Sequence, residues 1–208
     1  MNSREHFENL DRRDPLSALR NQFLIGEGTV YLDGNSLGVL PRQTAARVNA
    51  VITQEWGAGL IRSWNTAGWM QLAERIGDKI AQLIGAGPGE VVAADSTSIN
   101  LYKVLTAALR LQSQQDPERC EILSEIGNFP TDLYMAQGLN DAAGHPYRLR
   151  WLTPEELLPA LSAQTAVLML THVNYKTGRM WDMAAVTRAA HAQGILVIWD
   201  LAHSAGAV

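Results

Sequence analysis

At 208 residues, 47% of them hydrophobic, the chain is long enough to bury a sizeable core and falls in the range of one domain or slightly more. The formal charge of -4 is mild and dispersed, which argues against a nucleic-acid or acidic-membrane partner. Cys120 is the only cysteine, so an internal disulfide framework is excluded, and a small buried thiol in a reducing cytoplasm is expected.

Residues 1–22 are rich in Arg, Asp and Glu and lack an apolar h-region, so a secretory leader is not expected, and no apolar run reaches the length of a membrane span. Val30-Tyr31-Leu32 is a strand-like run that breaks at the turn-prone Asp33-Gly34-Asn35-Ser36-Leu37-Gly38. Pro41 is expected to open a helix with Ala45, Val48, Ile52 and Trp56 at helical spacing. A loop over 57–68, holding Arg62, Trp64 and Asn65 and followed directly by Trp69, separates it from a second amphipathic helix with Leu72, Ile76, Ile80 and Leu83. Gly85 ends that helix, and Val91-Val92-Ala93-Ala94 is short and apolar enough for a buried strand.

Further on, Asp95-Ser96-Thr97-Ser98 precedes a helix with Leu101, Val104, Leu105 and Ala108 on one face, and Cys120 to Leu123 reads as a strand. Asn128-Phe129-Pro130-Thr131-Asp132 heads another helix, and Thr153-Pro154-Glu155-Glu156 is a capping box with Pro at the first helical position. Ala166 to Leu170 predicts a strand, Asp182 caps a helix through His191, Gly194 stops it, and Ile195 to Trp199 predicts the next strand. That is a βαβ unit, and such apolar runs suit parallel strands covered on both faces. The predicted fold class is therefore α/β, with an arm over 1–28 and one large domain over 29–208.

In open parallel sheets, ligands bind beyond the carboxyl ends of the strands. Four polar clusters fall there: 95–98, 128–132, 171–174 and 200–203. The first joins a strand to a helix N-terminus, where free N–H groups and the helix dipole favour a phosphate, although the same residue types also serve as ordinary caps. Asp200 ends an apolar strand, where an ionised carboxylate needs a cation or several donors, and a protonated pyridine nitrogen is one such partner. His203 could orient that carboxylate or reach a phosphate; a core histidine and a metal ligand are the other readings, and no ligand spacing supports the metal. Phe129 offers a face for a flat heteroaromatic ring, with Asp132 at its polar edge, or is a core residue. The four clusters together suit a phosphorylated pyridine.

At these residues the chain resembles the kynureninases, of the fold-type I, class V aminotransferase-like pyridoxal-phosphate enzymes. The resemblance covers most of the chain through Tyr31 to Gly38, Arg62-Ser63-Trp64, Asp95 to Leu101, Asn128 to Asp132, Thr171 to Tyr175, and Asp200 to Gly206. It implies a large cofactor-binding domain, its mostly parallel sheet flanked by helices on both faces and incomplete at the C-terminus. It also implies a pocket for pyridoxal 5′-phosphate formed by Thr97, Ser98, Phe129, Pro130, Thr131, Asp132, Thr171, Asp200 and His203. Thr97 and Ser98 would bind the phosphate, Phe129 would stack on the ring, Asp132 would meet its polar edge, and Asp200 would pair with the pyridinium nitrogen. Trp64 would lie near the substrate's aromatic ring, with no metal required.

The implied reaction is hydrolysis of L-kynurenine, or its 3-hydroxy form, to anthranilate (or its hydroxylated counterpart) and L-alanine in tryptophan catabolism, by a cytoplasmic homodimer. The Schiff-base lysine of such enzymes is expected beyond Val208, because Lys79, Lys103 and Lys176 all precede Asp200 and none matches its motif. The 208 residues alone are therefore expected to be inactive. A cysteine desulfurase or a non-catalytic remnant would be the alternatives.

Overall fold

The computed structural model describes residues 3–208, which pack as two compact units, one ending at Leu72 and the other running from Ala73 to Val208. Each is built from a different kind of local structure.

The first unit is made of short helical pieces. Helix α1 (Arg4–Arg13) is capped by Ser3, whose side chain accepts from the amide of His6 at 3.2 Å. The expected strand over Val30 to Leu32 does not form: Val30 is 81% and Leu32 90% exposed, and no strand lies beside them among the described residues. Extended backbone needs a partner for its N–H and C=O groups, and an apolar run cannot supply one. Tyr31 instead ties the following turn, its hydroxyl donating to the carbonyls of Asp33 (3.1 Å) and Leu37 (2.7 Å).

The helix expected from Pro41 starts three residues later, as α2 (Thr44–Ala50), and runs on as a π-helix over Val51–Ala58. Pro41 itself bridges Phe23. The 57–68 loop is also more ordered than expected, with a 3₁₀ turn at Leu60–Arg62 and helix α3 (Ser63–Thr66). Glu55 explains this. Its carbonyl accepts from Ser63 Oγ at 2.5 Å and its carboxylate from Trp69 Nε1 at 2.7 Å, which folds the segment back on the π-helix.

Helix α4 (Leu72–Ile84) lies where its apolar spacing predicts, and Gly85 leaves it at φ +72°. The second predicted strand, Val91 to Ala94, is absent. Its backbone is committed elsewhere: the amide of Ala93 donates to the carbonyl of Ala73 in α4 at 3.1 Å, and the carbonyl of Ala94 accepts from Asn100 Nδ2 at 2.7 Å. Gly77 of α4 makes this approach possible, since a Cβ there would lie 1.9 Å from the Val91 carbonyl oxygen.

The rest of the second unit alternates helix and strand: α5 (Thr97–Gln115), β1 (Glu121–Glu125), α6 (Pro130–Ala142), β2 (Arg148–Leu152), α7 (Pro154–Leu157), β3 (Thr165–Thr171), α8 (Met183–His191) and β4 (Leu196–Asp200). The capping box at Thr153, the Asp182 cap and the Gly194 stop all form as their residues predict. The four strands make a parallel sheet in the order β2-β1-β3-β4.

Alternation along the strands divides the core. Ile122, Val167 and Met169 face Leu101, Leu105 and Leu109 of α5 and Ala136 of α6, whereas Leu123, Leu168 and Leu170 face Leu157, Val186 and Ala190. Helices therefore cover both faces, and each fully buried leucine contributes about 2–3 kcal/mol. Beyond the core, the carboxyl ends of β1, β3 and β4 align, with Thr171 registered against Asp200.

Candidate functional site

Three side chains from three connections meet where those strand ends align. Asp132, in the first turn of α6, is 2% exposed; Thr171 ends β3 and Asp200 ends β4. Thr171 Oγ1 lies 3.5 Å from Asp132 Oδ2 and 3.4 Å from Asp200 Oδ2, and it donates to Asn128 Oδ1 at 2.5 Å. Asn128 is anchored in turn, donating through Nδ2 to Ser124 Oγ (3.0 Å), whose hydroxyl donates to the carbonyl of Met169 (2.6 Å). No role is expected of Asn128 from its sequence position, although a polar Ser124 within a buried strand is the signal that a buried hydrogen-bond chain starts there.

Two carboxyl groups held this close cannot both ionise freely. Burial first, then the charge of Asp200 and a hydrogen bond with it, raise Asp132 to about 7 from an ordinary 3.8, while the Thr171 hydrogen bond lowers it. Between those values the unfolded chain releases this proton and the folded chain keeps it, so the contribution to stability falls as pH rises from about 4 to about 7 and is flat above. Urea unfolding of the cofactor-free chain is expected to show that loss, of order a few kcal/mol. Asp132→Asn should flatten it; an unchanged pH profile in the variant would show that the carboxyl is not held in this way.

An aromatic wall stands beside the carboxyl groups. Phe129 is 36% exposed, so it is not a core residue, and its ring centroid lies 5.0 Å from that of Tyr175 and 6.4 Å from that of His203. His203 Nδ1 donates to the carbonyl of Val173 at 3.1 Å, which places a proton on Nδ1 and orients the ring. Pro130 occupies the first helical position of α6 and Thr131 the next. Tyr175 is a member of the wall that the sequence reading leaves without a role.

Thr97 and Ser98 open α5, where the first amides have no intrahelical acceptor. Ser96 is the cap, its side chain accepting from the amide of Ile99 at 3.5 Å, which leaves the hydroxyls of Thr97 and Ser98 for another partner. Trp64 lies in the first unit, 47% exposed, its ring meeting that of Trp69 edge to face at 6.2 Å. Of the three lysines, Lys103 pairs with Asp95, Lys176 sits 5.4 Å from the Tyr175 ring centroid in the loop after β3, and Lys79 is on α4. Cys120 is half-buried rather than buried. Among the described residues no group of three His, Cys, Asp or Glu could hold a metal ion, and no helix is long and apolar enough to cross a membrane.

The acceptors at the strand ends suit a planar cationic heterocycle, and the start of α5 suits an anionic group. Two carboxyl groups and a threonine hydroxyl can accept a ring N–H, an exposed phenyl face lies beside them, and a helix N-terminus with free hydroxyls suits a phosphate.

Kynureninase of Pseudomonas fluorescens is 60% identical over 200 residues, covering 96% of this chain and 48% of that protein. Kynureninase of Burkholderia pseudomallei (strain 1106a) is 56% identical over 209 aligned positions, covering 100% and 50%. The chain thus spans about half the length of the curated relatives it matches. Among solved structures, a C-DES variant with glycine covalently linked to its PLP cofactor superposes with a TM-score of 0.74 at 20% identity, covering 91% of this chain and 51% of that one. DndA from Streptomyces lividans gives 0.64 at 20% identity, covering 88% and 49%. At that identity the likeness is one of fold. The family model for aminotransferase class-V matches residues 30–208, and the chain belongs to that family.

Proposed function

We propose that this chain carries the cofactor-holding half of a kynureninase, which hydrolyses L-kynurenine to anthranilate and L-alanine with pyridoxal 5′-phosphate. The observation that carries the proposal is the meeting of Asp132, Thr171 and Asp200 within 3.5 Å at the carboxyl ends of a parallel sheet, in a chain 56–60% identical to kynureninases. When bound, the cofactor supplies an electron sink for negative charge that develops on a substrate carbon.

In this reading the residues of the chain bind and orient. Asp200 keeps a proton on the ring nitrogen, because a carboxylate beside a pyridinium favours the charged ring. Thr171 bridges the two carboxyl groups and holds Asp200 in line, and Asp132 contacts the ring's polar edge. Phe129 stacks on the ring, held by Pro130, whose fixed φ sets the start of α6; Thr131 completes that turn. His203, oriented by Val173, closes the cofactor shell. Thr97 and Ser98 bind the phosphate through hydroxyls and free amides. Trp64 lies against the aromatic ring of the substrate.

The large domain is 29–208, preceded by an arm over 1–28, and none of Lys79, Lys103 and Lys176 is the lysine that bonds the cofactor. The enzyme works as a cytoplasmic homodimer without nucleic-acid or membrane partners. The test is release of fluorescent anthranilate from L-kynurenine by the complete enzyme that bears this chain, supplied with cofactor. Cleavage is expected. Sulfur release from cysteine without kynurenine cleavage would replace this reading with that of a desulfurase.

A further inference from the structure

Glu125, the last residue of β1, has a side chain only 10% exposed, and it plays no part in the hydrogen bonds of the carboxyl cluster. Its Oε2 accepts from Trp181 Nε1 at 3.2 Å and pairs with Arg179 Nη2; its Oε1 accepts from Asn174 Nδ2 at 3.3 Å. Arg179 is also held by the Trp181 ring, 4.1 Å from its centroid. All these donors belong to one small hairpin, 172–181. Val173 bridges Met180 in antiparallel fashion, the amide of Trp181 donates to His172 at 3.0 Å, the amide of Asn174 donates to Arg179 at 2.9 Å, and Gly178 turns at φ +68°.

That hairpin carries two parts of the wall described above. Tyr175 packs against Phe129, and the Val173 carbonyl receives His203 Nδ1. Asn174 ties it further to the loop after β1, donating to the carbonyl of Gly127 at 3.0 Å. A surface ion pair would contribute little, but a buried carboxylate with several donors from a single loop fixes that loop, because letting go leaves a charge stranded.

We propose that Glu125 is a positioning residue: by gathering Asn174, Arg179 and Trp181 it sets the hairpin 172–181, and through Tyr175 and Val173 it holds Phe129 and His203 where a ring is to be bound. What the wall binds rests on the cofactor reading above; the fixing of the hairpin does not.

The experiment compares the chain with its Glu125→Gln and Arg179→Lys variants by two measurements. Amide hydrogen exchange reads the hairpin, and a binding titration uses pyridoxine 5′-phosphate, which has the ring and phosphate but no aldehyde and so needs no lysine. In Glu125→Gln, exchange at Asn174, Gly178 and Trp181 should quicken at least tenfold and binding weaken at least tenfold, with protection in α5 and α6 unchanged. Arg179→Lys, which keeps the buried charge paired, should fall between, and it carries the test if Glu125→Gln does not fold. Normal binding with a loosened hairpin, or lost binding with an unchanged hairpin, would overturn the positioning role. No binding by the unmutated chain would overturn the cofactor reading, and the fixing of the hairpin would then stand or fall on exchange alone.

Discussion

Replacing Asp200 by alanine is expected to lower kynurenine cleavage by the complete enzyme by roughly 100- to 1,000-fold, the range seen when a group that stabilises developing charge is removed. The carboxylate is the group best placed to keep a ring nitrogen protonated, since Asp132 is already biased towards its neutral form. The fold should survive. Asp200 ends β4 with a half-buried side chain, and alanine costs the acceptor for the amide of Ala202 (2.8 Å), the long contact with Thr171 (3.4 Å) and the hydrogen bond shared with Asp132. It also removes the like charge beside Asp132, which should bring that carboxyl back towards the ordinary range. Steady-state rates with circular dichroism check this, and near-normal turnover in a folded variant would refute the assignment.

The second large effect is expected at Gly77. Helix propensity alone predicts that Gly77→Ala stabilises α4 by about 1 kcal/mol. Packing predicts the opposite, because the added Cβ would lie 1.9 Å from the Val91 oxygen and 2.6 Å from its carbonyl carbon, both backbone atoms that cannot rotate away. Overpacking of this kind costs roughly 1–3 kcal/mol, and Gly77→Val should exceed that. The segment displaced is the one that leads into Thr97 and Ser98, so phosphate binding should weaken along with stability. Urea midpoints decide the sign; a raised midpoint for the alanine variant would show that the 91–94 segment does not pack on α4 as described.

The sheet of the second unit was legible because its strands announce themselves locally. The runs at 165–171 and 196–200 are apolar on both faces, Asp182 and Gly194 punctuate the helix between them, and the shorter Ile122-Leu123 core marks β1; β2, where Arg148 and Arg150 alternate with apolar residues at the sheet edge, does not read as a strand. The same reasoning failed at Val30 to Leu32 and Val91 to Ala94. A short apolar run is a strand only when another strand lies alongside, and in both places turns or a helix take up the neighbouring polar groups. The helix expected from Pro41 likewise passes into a π-helix at Val51, and Val48, Ile52 and Trp56 are at least half exposed.

Residue types at the site could be read from their places after strands, but their partnerships could not. Register and strand order bring Thr171 to Asp132 and Asp200, and Glu125 to Arg179 across 54 positions, and neither follows from local pattern.

In the function proposed above, Asp200 and its neighbours hold a protonated pyridine ring. The most direct measurement is the ¹⁵N NMR shift of the ring nitrogen of labelled pyridoxal 5′-phosphate bound to the complete enzyme. A protonated nitrogen at neutral pH, lost in Asp200→Ala, is the predicted result. An unprotonated nitrogen in the unmutated enzyme, or the same protonated signal in the variant, would contradict it.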